Sequence, residues 1–258
     1  YECISELMSS LMARCAHDHV AVSLPSLRAG TLSPELMKLI KAVRKTGFTI
    51  APEAGSDRLR RVINKNITEA DILETVENAF SLGWRVIKLY FMIGLPSETQ
   101  ADLEALVGLV KRLKSVKGEN GRGGKIHVSV TTFIPKAHTP FQWAAQIDQD
   151  ASQKKIRWIK DQLRLPGLLV KWQDPAVSVV EGLWARGDRR LASLLETAHE
   201  MGCKFDGWSD KFSLSRWQTA FEAAGIDPAF YSQRQRDLAE TLPWDHIDPG
   251  VTREFMDA

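Results

Sequence analysis

The sequence LYFMIGLPSET, from Leu89 to Thr99, joins an apolar run to a Gly-Leu-Pro turn and the start of a helix. The run is rich in aromatic and branched residues, which is typical of a strand buried on both faces. Gly94 lets the backbone bend or be approached closely, and Pro96 ends strand pairing. Thr99 and Asp102 are spaced like a capping box, and apolar residues then recur at helical spacing. The stretch therefore predicts strand, exposed loop and helix, a junction at which α/β folds usually bind ligands.

The same alternation of strand and helix runs through the first half of the chain. Four strands are predicted: VAVSL at 20–24, FTIAP at 48–52, WRVIKLYFMI at 84–93 and IHVSVTTFI at 126–134. Helical patterns separate them, and strands separated by helices imply a parallel sheet with right-handed crossovers. The predicted class is α/β. The spacing alone allows either an open sheet or part of a barrel.

The composition and the predicted secondary structure of the chain change near Trp143, so we place a domain boundary between residues 145 and 146. Seven of the eight tryptophans lie from Trp143 onward, helical patterns dominate, and only LLVKW at 168–172 is typical of a strand. Residues 1–145 are therefore predicted to form the sheet domain, and 146–258 a helix-rich C-terminal extension. We expect the tryptophans to form the core of the extension and its packing on the first domain. The basic cluster RGDRR at 186–190 is expected on a solvated face.

Composition narrows the classes of function. The 258 residues are 44% hydrophobic and 26% charged with a net charge of +2, so no anionic partner such as nucleic acid or a membrane surface is indicated. No apolar run approaches the roughly 20 residues of a membrane-spanning helix, and no secretory signal is visible. Cys3, Cys15 and Cys203 have neither disulfide nor metal-ligand spacing, so we predict a cytoplasmic protein with no metal-binding residue in this chain. Because the sequence begins at Tyr1 within a helical pattern, we expect it to be a piece of a longer protein.

Each predicted strand ends in residues that could bind a ligand. Ser26 and Arg28 follow the first strand, Glu53 follows the second, and glycine or proline loops follow the other two. A carboxylate can accept hydrogen bonds from two ribose hydroxyls, and Arg28 or Lys65 can pair with a ligand carboxylate. Loops of this kind expose backbone groups that can hydrogen-bond to an adenine edge. Together these residues favour a binding site at one edge of the sheet.

Simpler interpretations exist for the same residues. Glu53 could cap the helix that begins at SDRL, and Gly-Leu-Pro could be a plain turn. His138 is expected to orient its loop rather than to act as a base. The chain contains no Gly-x-Gly-x-x-Gly, phosphate loop or nucleophile elbow, which argues against dinucleotide-binding proteins, kinases and α/β hydrolases.

Three segments, in this order, resemble the later half of the radical S-adenosylmethionine (SAM) barrel: APEAGSDRLRRVINKNIT, VIKLYFMIGLPSET and VSVTTFIPKAHTPFQW. The resemblance covers roughly residues 23–143. It is strongest to a group of uncharacterised radical SAM proteins with a cobalamin-binding domain upstream, and weaker to the tRNA methylthiotransferases. RGDRR, FDGW and LPWDHID in the tail also resemble the cobalamin-associated group. The implied fold is the later part of a partial (β/α) TIM-like barrel with parallel strands.

The resemblance implies roles for individual residues. Glu53 would hold the SAM ribose, and Lys65, where relatives often have arginine, would face the methionine carboxylate. Ser26 and Arg28 would line the same pocket. Two backbone segments would enclose the adenine: Ile93, Gly94, Leu95 and Phe133, Ile134, Pro135.

The sequence departs from the family in one respect, because the Cys-x3-Cys-x2-Cys motif that binds the 4Fe–4S cluster is absent. We expect that motif, the first barrel strands and a cobalamin domain in an upstream region of the same protein. The parent protein would then be a radical SAM enzyme using SAM, a 4Fe–4S cluster and cobalamin, for chemistry such as methyl or methylthio transfer on an unidentified substrate. The chain alone would be inactive.

Two alternatives remain at this stage. The chain could be a non-enzymatic module that docks a partner or RNA through its tryptophan-rich extension. RNA binding should fall steeply with added salt, whereas SAM binding should not. An unrelated (β/α) hydrolase is the second alternative, but no nucleophile or metal cluster is evident for it.

Overall fold

The computed structural model describes residues 4–17, 20, 48–118, 121 and 123–257. Four strands lie in these ranges: β1 (Phe48–Glu53), β2 (Val86–Ile93), β3 (Lys125–Thr132) and β4 (Leu168–Trp172). Ten helices lie in the same ranges: α1 (Ile4–His17), α2 (Asp57–Val62), α3 (Glu69–Ser81), α4 (Gln100–Ser115), α5 (Gln149–Gln162), α6 (Pro175–Arg186), α7 (Leu191–Glu200), α8 (Leu214–Ala224), α9 (Pro228–Ser232) and α10 (Arg253–Asp257). The first predicted strand, with Ser26 and Arg28, falls outside the described residues.

The chain folds into two compact units. Unit 1 comprises the described residues of Tyr1–Ile93, Ser97–Thr131 and Ile156–Trp172, and unit 2 comprises Gly94–Pro96, Thr132–Lys155 and Gln173–Ala258. Unit 1 thus contains the second half of α5 and all of β4, which both lie beyond residue 145. The predicted boundary between residues 145 and 146 stays a prediction.

Unit 1 is built on a four-stranded parallel sheet in the order β1-β2-β3-β4. Phe48 is in register with Ile87 on β2, and Ile126 with Leu168 on β4. Its core is made of apolar side chains from the first three strands and from α3, α4 and α5. The predicted α/β class is confirmed, and the sheet with its helices is consistent with a partial TIM-like barrel.

The strand β2 differs from its prediction in one respect. We expected both of its faces to be buried, but Ile87, Leu89 and Phe91 are buried while Lys88 and Tyr90 are exposed. Successive side chains of a strand point to opposite faces, so the helices cover one face of β2 and leave Tyr90 40% exposed on the other. An apolar run therefore did not distinguish a doubly buried strand from a half-buried one.

Capping residues set the helix starts of unit 1. Thr68 forms a capping box with Asp71 at the start of α3. The Asp102 carboxylate accepts the backbone N–H of Thr99 at 2.8 Å at the start of α4, as the sequence predicted. These contacts satisfy N–H groups that the first helical turn leaves without intrahelical partners.

Unit 2 holds helices α6 to α10. Its largest cluster of buried residues joins Leu183 of α6, Leu194 of α7, and Trp217 and Phe221 of α8. Trp143 packs with Leu242 and Trp244 in a smaller cluster. The tryptophan prediction holds for some residues only, because Trp184 is 37% exposed and Trp208 68% exposed.

Arg186 of the RGDRR cluster was expected in solvent, and this prediction is wrong. Its side chain is fully buried and donates to the carbonyls of Tyr231 at 2.9 Å and Ala144 at 2.8 Å. Arg236 in turn donates to the Arg186 carbonyl at 2.9 Å. A guanidinium can meet several carbonyls at once, which makes its burial tolerable. A run of charged residues in a sequence does not show that one of its arginines is buried and bonded to backbone carbonyls.

In the part of the chain that the structure describes, no helix combines the length and the apolar character needed to cross a bilayer.

Candidate functional site

Glu53 is the last residue of β1 and has an uncommon backbone conformation. Its φ is 67°, in the left-handed region that side-chain-bearing residues rarely adopt. The pairing of β1 with β2 shifts between Ile50 and Glu53, so β1 carries one extra residue there. Such irregularities re-aim the side chain at a strand end, and strained residues of this kind cluster at functional sites.

The structure brings Glu53 and Lys65 together. Lys65 Nζ lies 3.3 Å from Glu53 Oε1, and the two side chains are 29% and 28% exposed. The chain reaches Lys65 because α2 ends at Val62 and Asn64 takes a left-handed φ of 54°. The result is a partly exposed carboxylate–ammonium pair at the carboxyl end of a parallel strand.

Glu53 does not cap the helix α2, contrary to the simpler interpretation of this residue. Ser56 is the N-cap of α2, and its hydroxyl accepts the N–H of Leu59 at 3.1 Å. Asp57 supplies the acidic residue of the first turn. The Glu53 carboxylate is therefore not used for capping.

Arg60 positions both segments that carry the pair, and sequence analysis missed it. Its fully buried guanidinium donates to the carbonyls of Ala54 at 2.8 Å and Gly55 at 3.2 Å, directly after Glu53. It also donates to the Ile67 carbonyl at 3.1 Å and pairs with Asp57. The N–H of Lys65 donates to the Arg60 carbonyl at 2.8 Å. Arg60 thus holds the loop before α2 and the loop after it in one arrangement.

Asp102 joins the loops that follow β1 and β2. Its buried carboxylate accepts hydrogen bonds from Arg58 and Ser56 and from the N–H and hydroxyl of Thr99. Arg58 also donates to the Ser97 carbonyl at 2.8 Å. Burial alone would raise the pKa of Asp102, but the hydrogen bonds from Arg58, Ser56 and Thr99 outweigh it and hold that pKa well below its usual range. The carboxylate is therefore charged at every physiological pH.

The loop after Glu53 needs a glycine at position 55 because it lies very close to α4. A Cβ built on Gly55 would lie 2.3 Å from the backbone nitrogen of Leu106 on α4. The loop therefore packs directly against the backbone of that helix, which no larger residue allows.

One of the two segments predicted to enclose the adenine, Ile93–Leu95, begins with the last residue of β2. Gly94 has a φ of 74°, and a Cβ there would lie 2.5 Å from Cδ1 of Ile147. The glycine thus serves both purposes expected of it, a left-handed turn and a close approach. Leu95 is 3% exposed.

The segment after β3 is buried as well. Phe133 is 9% and Ile134 7% exposed, and the Phe133 ring packs edge-on against Phe141 at 5.7 Å. Pro135 is also buried. With the side chains of these residues inside the fold, adenine recognition through their backbone stays a prediction.

The cysteines of this chain do not fit an iron–sulfur cluster. Cys15 lies on α1 in unit 1, Cys203 follows α7 in unit 2, and Cys3 lies outside the described residues. Within the described ranges, no group of three or more His, Cys, Asp and Glu side chains could hold a metal ion. A 4Fe–4S cluster needs several thiolates brought close together.

The sheet and the charged pair at the carboxyl end of β1 define an α/β domain with a candidate site at one edge of its sheet. Residues 5–110 match the Radical SAM superfamily model and form a domain of that superfamily, whose cofactors are SAM and a 4Fe–4S cluster. An uncharacterised protein of Methanocaldococcus jannaschii is 35% identical over 226 residues, which is 88% of this chain and 48% of that protein. The chain spans about half the length of this relative.

Proposed function

We propose that this chain supplies the SAM-binding part of a radical SAM enzyme. The observation that carries the proposal is the Glu53–Lys65 pair at the carboxyl end of β1, inside the residues that match the superfamily. The position of the pair agrees with the general rule that ligands of parallel α/β sheets bind beyond the carboxyl ends of the strands.

The chemistry of the pair fits SAM. The Glu53 carboxylate has acceptor capacity beyond the contact of Oε1 with Lys65, and the ribose diol of SAM offers two hydroxyl donors. The ammonium of Lys65 has three N–H donors, so it can keep its bond to Glu53 and donate to the methionine carboxylate as well. Ser26 and Arg28 belong to the same proposed pocket. The segments Ile93–Leu95 and Phe133–Pro135 are proposed to enclose the adenine.

The superfamily's 4Fe–4S cluster is not assigned to this chain, because its cysteines do not fit one. We place the cluster ligands in another segment of the full-length protein, together with the substrate site and a cobalamin domain. Methyl or methylthio transfer is the proposed reaction class. Its support is the likeness of RGDRR, FDGW and LPWDHID to the cobalamin-associated radical SAM group.

Replacement of Glu53 by Gln tests the proposal in the full-length protein. The variant keeps the side-chain length but loses a charged acceptor, so SAM affinity should fall by about 1.5–3 kcal/mol, or roughly 10- to 150-fold. Glu77→Gln is the matched control, because Glu77 is exposed on α3. Calorimetric titration with SAM measures both variants. Equal dissociation constants for Glu53→Gln and the wild type would contradict the role of Glu53.

A further inference from the structure

One face of the sheet in unit 1 stays accessible among the described residues. The helices α3, α4 and α5 pack on the opposite face, against apolar residues such as Leu89 and Val128. Successive side chains of a strand alternate between its faces, so the residues between these point away from the helices. We call this side of the sheet the open face. Its side chains are partly or fully exposed: Thr49 and Ala51 of β1, Lys88, Tyr90 and Met92 of β2, Lys125, His127, Ser129 and Thr131 of β3, and Leu169 and Lys171 of β4.

Positive charge is concentrated on the open face. Lys88, Lys125 and Lys171 are exposed on three neighbouring strands, in the order β2, β3 and β4. Lys125 lies two residues before His127 on β3, and Lys171 lies two residues after the register partner of His127 on β4. Parallel sheets are almost always covered on both faces, so an accessible face with this charge favours an occupant.

The electrostatic surroundings of His127 show that the three lysines lie close together. Burial lowers the pKa of His127, and the positive charges of Lys171, Lys88 and Lys125 lower it further. The imidazole is therefore neutral at pH 7 and offers one N–H donor.

No acidic residue of the four strands offsets this charge. Glu53 is the one acidic residue within β1 to β4, and it lies at the carboxyl end of β1, where it pairs with Lys65. Within the described ranges, the ammonium groups of the three open-face lysines have neither an ion pair nor a hydrogen bond. Like charges gathered without a counter-charge repel one another, so binding of an anion to the open face relieves that repulsion.

We propose that the open face binds the phosphate group of a small organic phosphate. Lys88, Lys125 and Lys171 donate to the phosphate oxygens, and His127 adds its N–H. Neighbouring strands are about 4.8 Å apart, so β2 and β4 are about 10 Å apart and long side chains from both can reach one group between them. A phosphate dianion matches several ammonium groups better than a carboxylate, which carries a single charge.

The organic part of the ligand lies along β2, toward the carboxyl end of the strand. Tyr90 follows Lys88 on the same face, and its 40% exposed ring offers an apolar surface. Ser129, two residues beyond His127, adds a hydroxyl group. A phosphate ester with a ring therefore fits this face better than inorganic phosphate. The SAM proposal uses the strand ends and not these side chains, so the two sites are independent.

Protection of lysines from acetylation tests the proposal in the wild-type full-length protein. The probe is phenyl phosphate, and benzoate is the matched analogue with a single negative charge, both at an ionic strength held constant with chloride. Reaction with N-hydroxysuccinimidyl acetate, followed by mass spectrometry of peptides, gives a rate for each lysine. Saturating phenyl phosphate should slow Lys88, Lys125 and Lys171 by about fivefold or more, because the bound ammonium groups are masked. Benzoate should have little effect, and Lys111, exposed on α4, should keep its rate with either probe.

Variants then test the individual contacts by calorimetric titration. Lys88→Gln and Lys171→Gln should each weaken phenyl phosphate binding by about tenfold, since a charge-assisted hydrogen bond is lost. Both side chains are exposed, so the fold should persist, which urea unfolding checks. Lys111→Gln is the control and should bind like the wild type. Glu53→Gln should also bind phenyl phosphate normally, which separates a failure of this proposal from a failure of the SAM proposal.

Four results would overturn the proposal. They are equal protection by phenyl phosphate and benzoate, unchanged phenyl phosphate affinity in both lysine variants, protection of the same lysines by SAM, and slow acetylation of all three lysines without any probe. The third result would assign the open face to the SAM site. The fourth would mean that acidic residues of another segment of the full-length protein cover the face.

Discussion

Arg58 Nη2 lies 2.5 Å from the Asp102 carboxylate, and this ion pair connects the helix after β1 to the helix after β2. The carboxylate is 4% exposed and also accepts from Ser56 and Thr99. Because Arg58 also holds Ser97 of the Gly-Leu-Pro-Ser turn, two adjacent strand-end loops are fixed relative to each other. A ligand that contacts either loop meets a largely preorganised backbone.

Asp102→Asn should destabilise the protein by about 2–3 kcal/mol, because a buried carboxylate that accepts several hydrogen bonds is replaced by an amide with one acceptor oxygen. Urea unfolding measures the change. Asp161→Asn is the control, since Asp161 pairs with Arg164 on an exposed surface. This substitution should lower the free energy of unfolding by about 0.5 kcal/mol or less. Similar losses in the two variants would show that the buried network has no special importance.

The lowered pKa of Asp102 predicts that the stability of the protein depends on pH. The pKa of Asp102 is lowered in the folded state. The contribution of the carboxylate to the free energy of unfolding is therefore complete above its unfolded-state pKa of about 3.9, and it is lost as the pH falls below that value. The urea midpoint of the wild type should therefore drop more steeply below about pH 4 than that of Asp102→Asn. Parallel curves for the two proteins between about pH 6 and 3 would contradict this assignment.

Gly55→Ala should destabilise the protein by about 1–3 kcal/mol, because the added methyl group would overlap the backbone of α4. Thermal or urea unfolding measures the loss. Gly207→Ala is the matched control, since nothing lies within 4 Å of a Cβ at Gly207. If Gly55→Ala unfolds like its control, the loop and α4 are not in direct contact.

The chain by itself should not hold a stoichiometric 4Fe–4S cluster, because its three cysteines have no cluster spacing. Without the cluster, no 5′-deoxyadenosine should form from SAM under reducing conditions. Anaerobic reconstitution followed by iron and sulfide analysis measures the first expectation, and product chromatography the second. A full cluster with SAM cleavage would overturn our assignment of the cluster ligands to another segment.

Local sequence patterns predicted much of unit 1. The apolar spacing and the Thr99–Asp102 pair located α4, and the apolar run located β2. Glu53 was singled out because it stands at the end of a predicted strand, and the structure has it there. These features depend on neighbours in the chain, which is why a sequence reveals them.

Features that depend on distant contacts were not predictable. Arg60 and Arg61 are adjacent and chemically identical, yet only Arg60 is buried, because the carbonyls of Ala54 and Ile67 converge on it. Likewise, β4 was predicted as a strand of the extension, but its pairing with β3 depends on a partner about 40 residues away, as the register of Ile126 with Leu168 illustrates.

The left-handed backbone of Glu53 has a consequence for protein engineering. A glycine at this position would relieve the conformational strain, by about 1 kcal/mol or more, and would give up only a partly exposed ion pair. Selection for thermal stability alone should thus enrich Glu53→Gly, whereas the proposed role of Glu53 in SAM binding implies that selection for SAM-dependent turnover should eliminate it. Under that proposal, stability and activity make opposite demands on position 53.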